Sequence, residues 1–188
     1  MRRRAHHRPE RKPIFVGCEG QSEVGYIAFI SDLAEAARLP VFIKPIALTS
    51  AGDPLARVEK AIRLIDDNQK KRIAYAACFI LMDSDQIVRA PERAAQAKVR
   101  AVENKISIIW QNPCHEALLL RHFAGSETKC PQTAVQSDRQ LVKAWPGYRK
   151  AMSKQDIAQV LSLECVGRAA AVEHELKSFL NCIGLVTN

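Results

Sequence analysis

Pro-Ile-Phe-Val-Gly-Cys-Glu-Gly at residues 13–20 and Cys-Phe-Ile-Leu-Met-Asp-Ser-Asp at residues 78–85 decide the fold of this chain. Each is a short apolar run closed by acids, which is typical of a core strand in a parallel sheet. The carboxyl ends of such strands form a ligand crevice along one edge of the sheet. We therefore expect Glu19, Asp83 and Asp85 to meet there, where a cation would relieve their repulsion. Mg²⁺ prefers such carboxylate oxygens, so these three acids are the predicted metal ligands. The alternatives are that Glu19 only favours the N-terminus of the next helix and that Asp83 and Asp85 are solvated acids of a loop.

The composition limits the classes of protein to which the chain can belong. The chain has 188 residues, of which 47% are hydrophobic and 26% charged, as in one ordinary globular domain. No apolar run reaches the roughly 18–20 residues needed to span a bilayer, and no apolar stretch follows the basic N-terminus. We expect a cytoplasmic protein with no membrane partner. No two of the six cysteines lie within four residues of each other, so reduced structural thiols are expected rather than a zinc site.

The positive charge is concentrated at the N-terminus. The formal net charge is +8, and residues 1–12 carry +5 of it, from six basic side chains and one Glu. An Arg-rich arm predicts binding to polymeric phosphate, although a disordered tail that aids solubility has the same composition. The predicted phosphate contacts are those of the arm and a second basic patch: Arg2, Arg3, Arg4, Arg8, Arg11, Lys12, Arg149 and Lys150.

Strand and helix signals alternate along the chain. Strands are predicted at 13–18, 41–48, 74–82 and 105–110, and helices at 22–39, 53–67, 91–103 and 114–123. Ser22 is the predicted N-cap of the first helix, and Asp53-Pro54 begins the second, on which Arg57 belongs to a solvated face. The alternation predicts an α/β fold with a mostly parallel sheet and flanking helices. Residues 125–140 are predicted as a polar loop, and helices at 156–161 and 164–182 extend the fold C-terminally.

The predicted organisation is a disordered arm over residues 1–12 and a single domain over 13–188, with a helical region from about residue 140. A fourth acid, Glu116, lies at the start of the helix after strand four. It completes the cation site or is simply favoured by the helix dipole. His122, on the same helix, is either a nucleic-acid contact or a structural histidine. The chain has no Gly-x-x-x-x-Gly-Lys-Ser/Thr and no Gly-x-Gly-x-x-Gly, which argues against nucleoside triphosphatases and dinucleotide enzymes.

The ordered set of motifs resembles a known family, the RloB-like proteins of bacteria. The resemblance rests on Val-Gly-Cys-Glu-Gly-Gln-Ser-Glu at 16–23, Gly-Asp-Pro at 52–54, Met-Asp-Ser-Asp at 82–85, Asn-Pro-Cys-His-Glu at 112–116 and Tyr-Arg-Lys at 148–150. It implies the Toprim fold, which topoisomerases, primases and OLD-family nucleases share. It also implies a catalytic site of Glu19, Asp83, Asp85 and Glu116, with the first three holding Mg²⁺ or Mn²⁺. The residues after Pro-Cys depart from the family's more aromatic pattern, at His115 and Ala117.

Three hypotheses about function follow. The leading one is a Mg²⁺-dependent nuclease that cleaves DNA or RNA in bacterial anti-phage defence, in or beside restriction–modification or abortive-infection systems, with an ATPase as protein partner. The second is a non-catalytic subunit that binds nucleic acid or that ATPase. The third is a phosphohydrolase or nucleotidyltransferase acting on a small nucleotide. Intact acids favour an enzyme, and the basic arm favours a polymeric substrate; the sequence indicates no oligomeric state.

Overall fold

The sheet has four strands, all parallel, in the order β2-β1-β3-β4. The computed structural model describes residues 11–49 and 52–186. The strands are β1 (Lys12–Cys18), β2 (Val41–Ala47), β3 (Ala77–Asp83) and β4 (Ile106–Gln111). β2 lies at an edge, where Pro45 within the strand is tolerated because Pro lacks the N–H that a central strand needs. The predicted α/β class with a parallel sheet is confirmed.

Helices cover both faces of the sheet. In the described residues they are α1 (Gln21–Ala36), α2 (Pro54–Lys70), α3 (Asp85–Arg89), α4 (Pro91–Glu103), α5 (His115–Leu120), α6 (Ala134–Ala144), α7 (Lys154–Ala158), α8 (Leu163–Ala170) and α9 (His174–Ile183). Side chains alternate along β1, so Val16 packs against α1 and the C-terminal helices, whereas Phe15 packs against α2 and α4. The sheet is therefore buried on both faces, as its continuous apolar strands require.

The start of α2 forms as the sequence predicts, but that of α1 does not. The Asp53 carboxylate accepts a hydrogen bond from the Ala56 N–H at 3.0 Å, and Pro54 is the first helical residue. In α1 the N-cap is Gly20, so the prediction of Ser22 was wrong. The Ser22 hydroxyl instead accepts the Ala151 N–H at 3.0 Å, which ties the C-terminal region to α1.

Two other predictions were wrong in the C-terminal third. Residues 134–140, predicted as loop, belong to α6, because Thr133 caps the helix by accepting the Gln136 N–H at 3.2 Å. The predicted single helix over 164–182 is two helices, α8 and α9. The break between them carries Glu173, which forms an ion pair with Arg121. The C-terminal helices contribute to the same core as α1.

None of the helices in the described residues has the length and apolar content that a membrane crossing requires. The six cysteines are free thiols, and Cys18 and Cys114 are buried.

Candidate active site

Two of the predicted acids are brought together by strand pairing. β1 and β3 are neighbours in register, with Cys18 opposite Leu81, so the residues that follow them emerge side by side. The backbone N–H of Asp83 donates to Glu19 Oε2 at 3.1 Å. The Glu19 carboxylate therefore lies against the backbone of Asp83, and its negative charge acts on the Asp83 carboxyl group.

Glu19 has a counter-charge that the sequence did not predict. The Arg57 guanidinium, from the first turns of α2, lies 2.9 Å from Glu19 Oε1 through Nη2. Arg57 is only 8% exposed, so its assignment to a solvated face was wrong. Its Nε and Nη1 atoms are buried without a hydrogen-bond partner in the described residues. Burial raises the pKa of Glu19, and the Asp83 N–H and Arg57 act against that rise.

Asp83 is the acid whose ionised form is most disfavoured by burial and by neighbouring negative charge. Its Oδ1 accepts the backbone N–H of His115 at 2.9 Å, at the start of α5. Burial first, and then the neighbouring carboxylates, raise the pKa of Asp83 from 3.8 to about 9. The carboxylates that act on it are Glu19, Glu23, Asp85 and Glu116. Asp83 is therefore protonated at neutral pH unless a cation compensates the cluster.

Asp85 begins α3 and has one occupied and one unoccupied carboxylate oxygen. Its Oδ2 lies 2.6 Å from Nη2 of Arg89, one turn further along α3. Its Oδ1 is buried with no hydrogen-bond partner in the described part of the chain. A buried, unbonded carboxylate oxygen is costly, and it is the kind of atom that a metal ion or a donor group would satisfy.

Glu23 is a fifth acid that sequence reasoning missed. It is buried, and its Oε2 accepts the Gly20 N–H at 3.0 Å. Its position in the sequence was the available signal. An acid at the third position of a helix often accepts the N–H of the N-cap residue, which here is Gly20.

Glu116 is buried beside groups of the C-terminal region. The Tyr148 hydroxyl donates to its Oε1 at 3.3 Å, and Lys150 Nζ lies 3.5 Å from the same oxygen. Burial raises its pKa, but hydrogen bonds from its own backbone and from Cys114, together with the Lys150 charge, lower it overall. Glu116 is thus an ionised acid whose counter-charge, Lys150, is largely exposed.

His122 is excluded from direct nucleic-acid contacts, which corrects the sequence prediction. It is 0% exposed, and the Tyr26 hydroxyl donates to its Nε2 at 3.0 Å. Its Nδ1 lies 3.0 Å from the Leu118 carbonyl oxygen. Burial lowers the pKa of His122 to about 4, so the ring is neutral and structural.

Of the other predicted nucleic-acid contacts, some lie outside the residues that the structure describes and some have described partners. Arg2, Arg3, Arg4 and Arg8 lie outside the described residues. Arg11 forms an ion pair with Glu35 at 3.2 Å, and Lys12 is the first residue of β1. Arg149 pairs with Asp156 at 2.8 Å.

The acids fit Mg²⁺ by their chemistry, because their donors are carboxylate oxygens and one, Asp85 Oδ1, has no partner. Within residues 11–49 and 52–186, however, no three His, Cys, Asp or Glu side chains are arranged to hold a metal ion. Arg57 and Arg89 supply positive charge to Glu19 and Asp85 instead. Binding of a cation would therefore require these side chains to rearrange.

The fold and the site together define an α/β protein with an acidic cluster at the carboxyl edge of a parallel sheet. The family model of the RloB-like protein family matches residues 14–180, and the chain belongs to that family. The matched region contains every acid of the cluster. No curated protein and no solved structure matches the chain.

Proposed function

We propose that the protein is a Mg²⁺- or Mn²⁺-dependent nuclease of the Toprim type, which cleaves phosphodiester bonds of DNA or RNA in bacterial antiviral defence. The observation that carries the proposal is that acids follow two paired strands at one edge of the sheet, where the Asp83 N–H donates to Glu19 Oε2 at 3.1 Å. Burial, and then four neighbouring carboxylates, raise the pKa of Asp83 to about 9. Such a cluster is unstable as a set of free anions, and membership of the RloB-like family supports a shared function for it.

Glu19, Asp83 and Asp85 would hold the ion, with Glu116 as a further acid. A bound Mg²⁺ supplies Lewis-acid polarisation of the phosphate and a water nucleophile at neutral pH. The chain's own residues position the acids: Arg57 holds Glu19, and the His115 N–H orients Asp83. Glu116 is ionised and accepts from Tyr148, so it would add negative charge beside the three ion-binding acids.

Basic side chains at the rim would attract the phosphate backbone. Arg89 and Lys150 are mostly exposed and each lies against an acid of the cluster, Asp85 and Glu116 respectively. The N-terminal arginines add to this charge. Affinity from such contacts is independent of nucleotide sequence and falls steeply with salt.

One observation favours the second candidate, a non-catalytic subunit that binds nucleic acid or an ATPase partner. Arg57 and Arg89 already compensate two of the acids, and no three-residue metal group is formed in the described residues. An acid cluster neutralised by arginines needs no ion to persist.

A cleavage assay distinguishes the two. Labelled tRNA, single-stranded DNA and duplex DNA are incubated with Mg²⁺ or Mn²⁺ and the wild type, Asp83→Asn or Asp67→Asn. Asp67 is an exposed acid on α2 that pairs with Lys70, and it serves as the matched control. We expect cleavage by the wild type and Asp67→Asn, and none by Asp83→Asn or in EDTA. Cleavage that survives in Asp83→Asn and in EDTA contradicts the metal mechanism. No cleavage of any substrate, with the ATPase partner added, favours the non-catalytic subunit.

A further inference from the structure

A pocket of about 440 Å³ opens directly beside Asp85. Its wall is formed by three separate segments: α3, the turn at Asn112 and Pro113 after β4, and the first turn of α6. The volume falls within the range of about 300–1,000 Å³ that is usual for small-molecule sites. The pocket was not predicted from the sequence, because the residues that begin α6 were predicted as loop.

The pocket combines exposed apolar side chains with polar ones. Val88 of α3 is 84% exposed and Val135 of α6 is 60% exposed, and both line it. Exposed valines are common on protein surfaces, but these two belong to the lining of one pocket beside Asp85, where they can pack against an apolar group of a ligand.

The polar groups of the pocket suit the edge of a nucleobase. Asn112 Oδ1 accepts the Ser84 hydroxyl at 3.2 Å, which leaves the Asn112 amide nitrogen as a donor. Gln132 also lines the pocket, and its Nε2 donates to the Cys130 carbonyl oxygen at 3.0 Å, which leaves its side-chain oxygen as an acceptor. Amide side chains pair with base edges, which display a donor and an acceptor side by side.

The charged groups fix the place of the phosphate. Arg89 lines the pocket and its guanidinium lies 2.6 Å from Asp85. A nucleotide whose base enters this pocket can place its phosphate next to Arg89 and the acids. A duplex keeps its bases stacked, so only an unpaired nucleotide can do this.

We propose that this pocket binds the base of an unpaired nucleotide adjacent to the phosphate that the acid cluster acts on. The protein's substrate class is accordingly single-stranded nucleic acid, or an unpaired stretch of a folded one. The inference rests on the proposed function for the meaning of the acid cluster, but the binding itself can be measured without cleavage.

The probe is a fluorescein-labelled single-stranded oligonucleotide, compared with a strand of the same length and charge that carries abasic sites throughout. Binding is followed by fluorescence anisotropy in an Asp83→Asn background, so that no strand is cut. The test variant carries Val88→Asn and Val135→Asn, which remove the apolar wall without changing charge. The control carries Val99→Asn and Val102→Asn, two valines of α4 that are 58% and 76% exposed and do not line the pocket.

We expect the Asp83→Asn protein and the control to bind the base-containing strand about tenfold more tightly than the abasic strand, on the scale of one well-buried apolar group. The test variant should lose that preference and keep its affinity for the abasic strand. Val135→Asn alone should reduce the preference too, and because Val135 lies in α6 this variant leaves Asp85 and its helix unaltered. Tm values checked in parallel confirm that each variant is folded.

Equal binding of both strands by the Asp83→Asn protein, or a preference unchanged in the test variant, would overturn the inference. An apolar wall that no base requires would then be a surface for a protein partner. Base-dependent binding without cleavage by the wild type would sink the nuclease proposal and leave this pocket assigned. Cleavage without base-dependent binding would overturn the assignment of the pocket and leave the nuclease proposal standing.

Discussion

Two glycines inside helices offer a sharp test of the structure, because helix propensity alone treats them alike. Gly25 lies in α1 and Gly167 in α8. In a helix interior, Ala is favoured over Gly by roughly 0.5–1 kcal/mol. Without a structure, both Gly→Ala substitutions are expected to raise the free energy of unfolding by about that amount.

The structure reverses the expectation at Gly25. A Cβ there would stand 2.1 Å from the backbone oxygen of Met152, whereas one at Gly167 meets nothing within 4 Å. The Met152 segment cannot easily retreat, because the Ala151 N–H donates to Ser22 and Lys154 pairs with Asp32 at 2.8 Å. Overpacking of this kind costs about 1–3 kcal/mol. We expect Gly25→Ala to be destabilised by about that much.

The measurement is urea unfolding of the wild type and of the two variants, with Gly167→Ala as the control. The control should gain up to about 1 kcal/mol, so the two variants should differ in opposite directions from the wild type. Because Tyr148 and Lys150 reach Glu116 from the displaced segment, Gly25→Ala should also weaken any activity of the site. A Gly25→Ala protein as stable as Gly167→Ala would refute the packing of this segment on α1.

Three further predictions concern charge. Arg57→Met should lower the free energy of unfolding by about 3 kcal/mol in chemical denaturation, because it leaves Glu19 buried without its partner. Adding Glu19→Gln should restore part of that loss. An unchanged free energy of unfolding in Arg57→Met would show that the pair is not formed. In EDTA, the folded-state pKa of Asp83 is raised from 3.8 to about 9, so the folded protein keeps a proton that the unfolded chain has lost. The free energy of unfolding should fall as pH rises through that window, by up to about 1.4 kcal/mol per pH unit, and Asp83→Asn should flatten the slope; equal slopes in the two proteins would contradict the raised pKa. Removing residues 2–10 deletes four arginines and should lower the slope of log K against log salt for nucleic-acid binding by up to about 3–4, while a slope that stays the same would argue for a tail without phosphate contacts.

The parallel sheet could be predicted from sequence because its signals are local. The apolar runs before Glu19 and Asp83 are continuous, and Asp53-Pro54 carries its own capping chemistry. Because strands alternate with helices, the strands are parallel and their carboxyl ends lie at the same edge of the sheet. Glu19 and Asp83 were therefore expected to meet there.

What could not be predicted depends on contacts between distant segments. Arg57 is charged and one residue from the buried Val58, and only its tertiary partner Glu19 explains its burial. His122 is buried because Tyr26, 96 residues away, satisfies its ring nitrogen. The first seven residues of α6, 134–140, were missed because they are mostly polar and the signal for the helix start is a single cap, Thr133.

We propose that the acids around Asp83 form a cation site. Mn²⁺ binding to the metal-free protein, measured by isothermal titration calorimetry, tests it most directly. The wild type and the exposed-acid control Asp67→Asn should bind Mn²⁺ with the same affinity, and Asp83→Asn should lose at least tenfold. Identical binding isotherms for the wild type and Asp83→Asn, or no binding to the wild type, would contradict the claim.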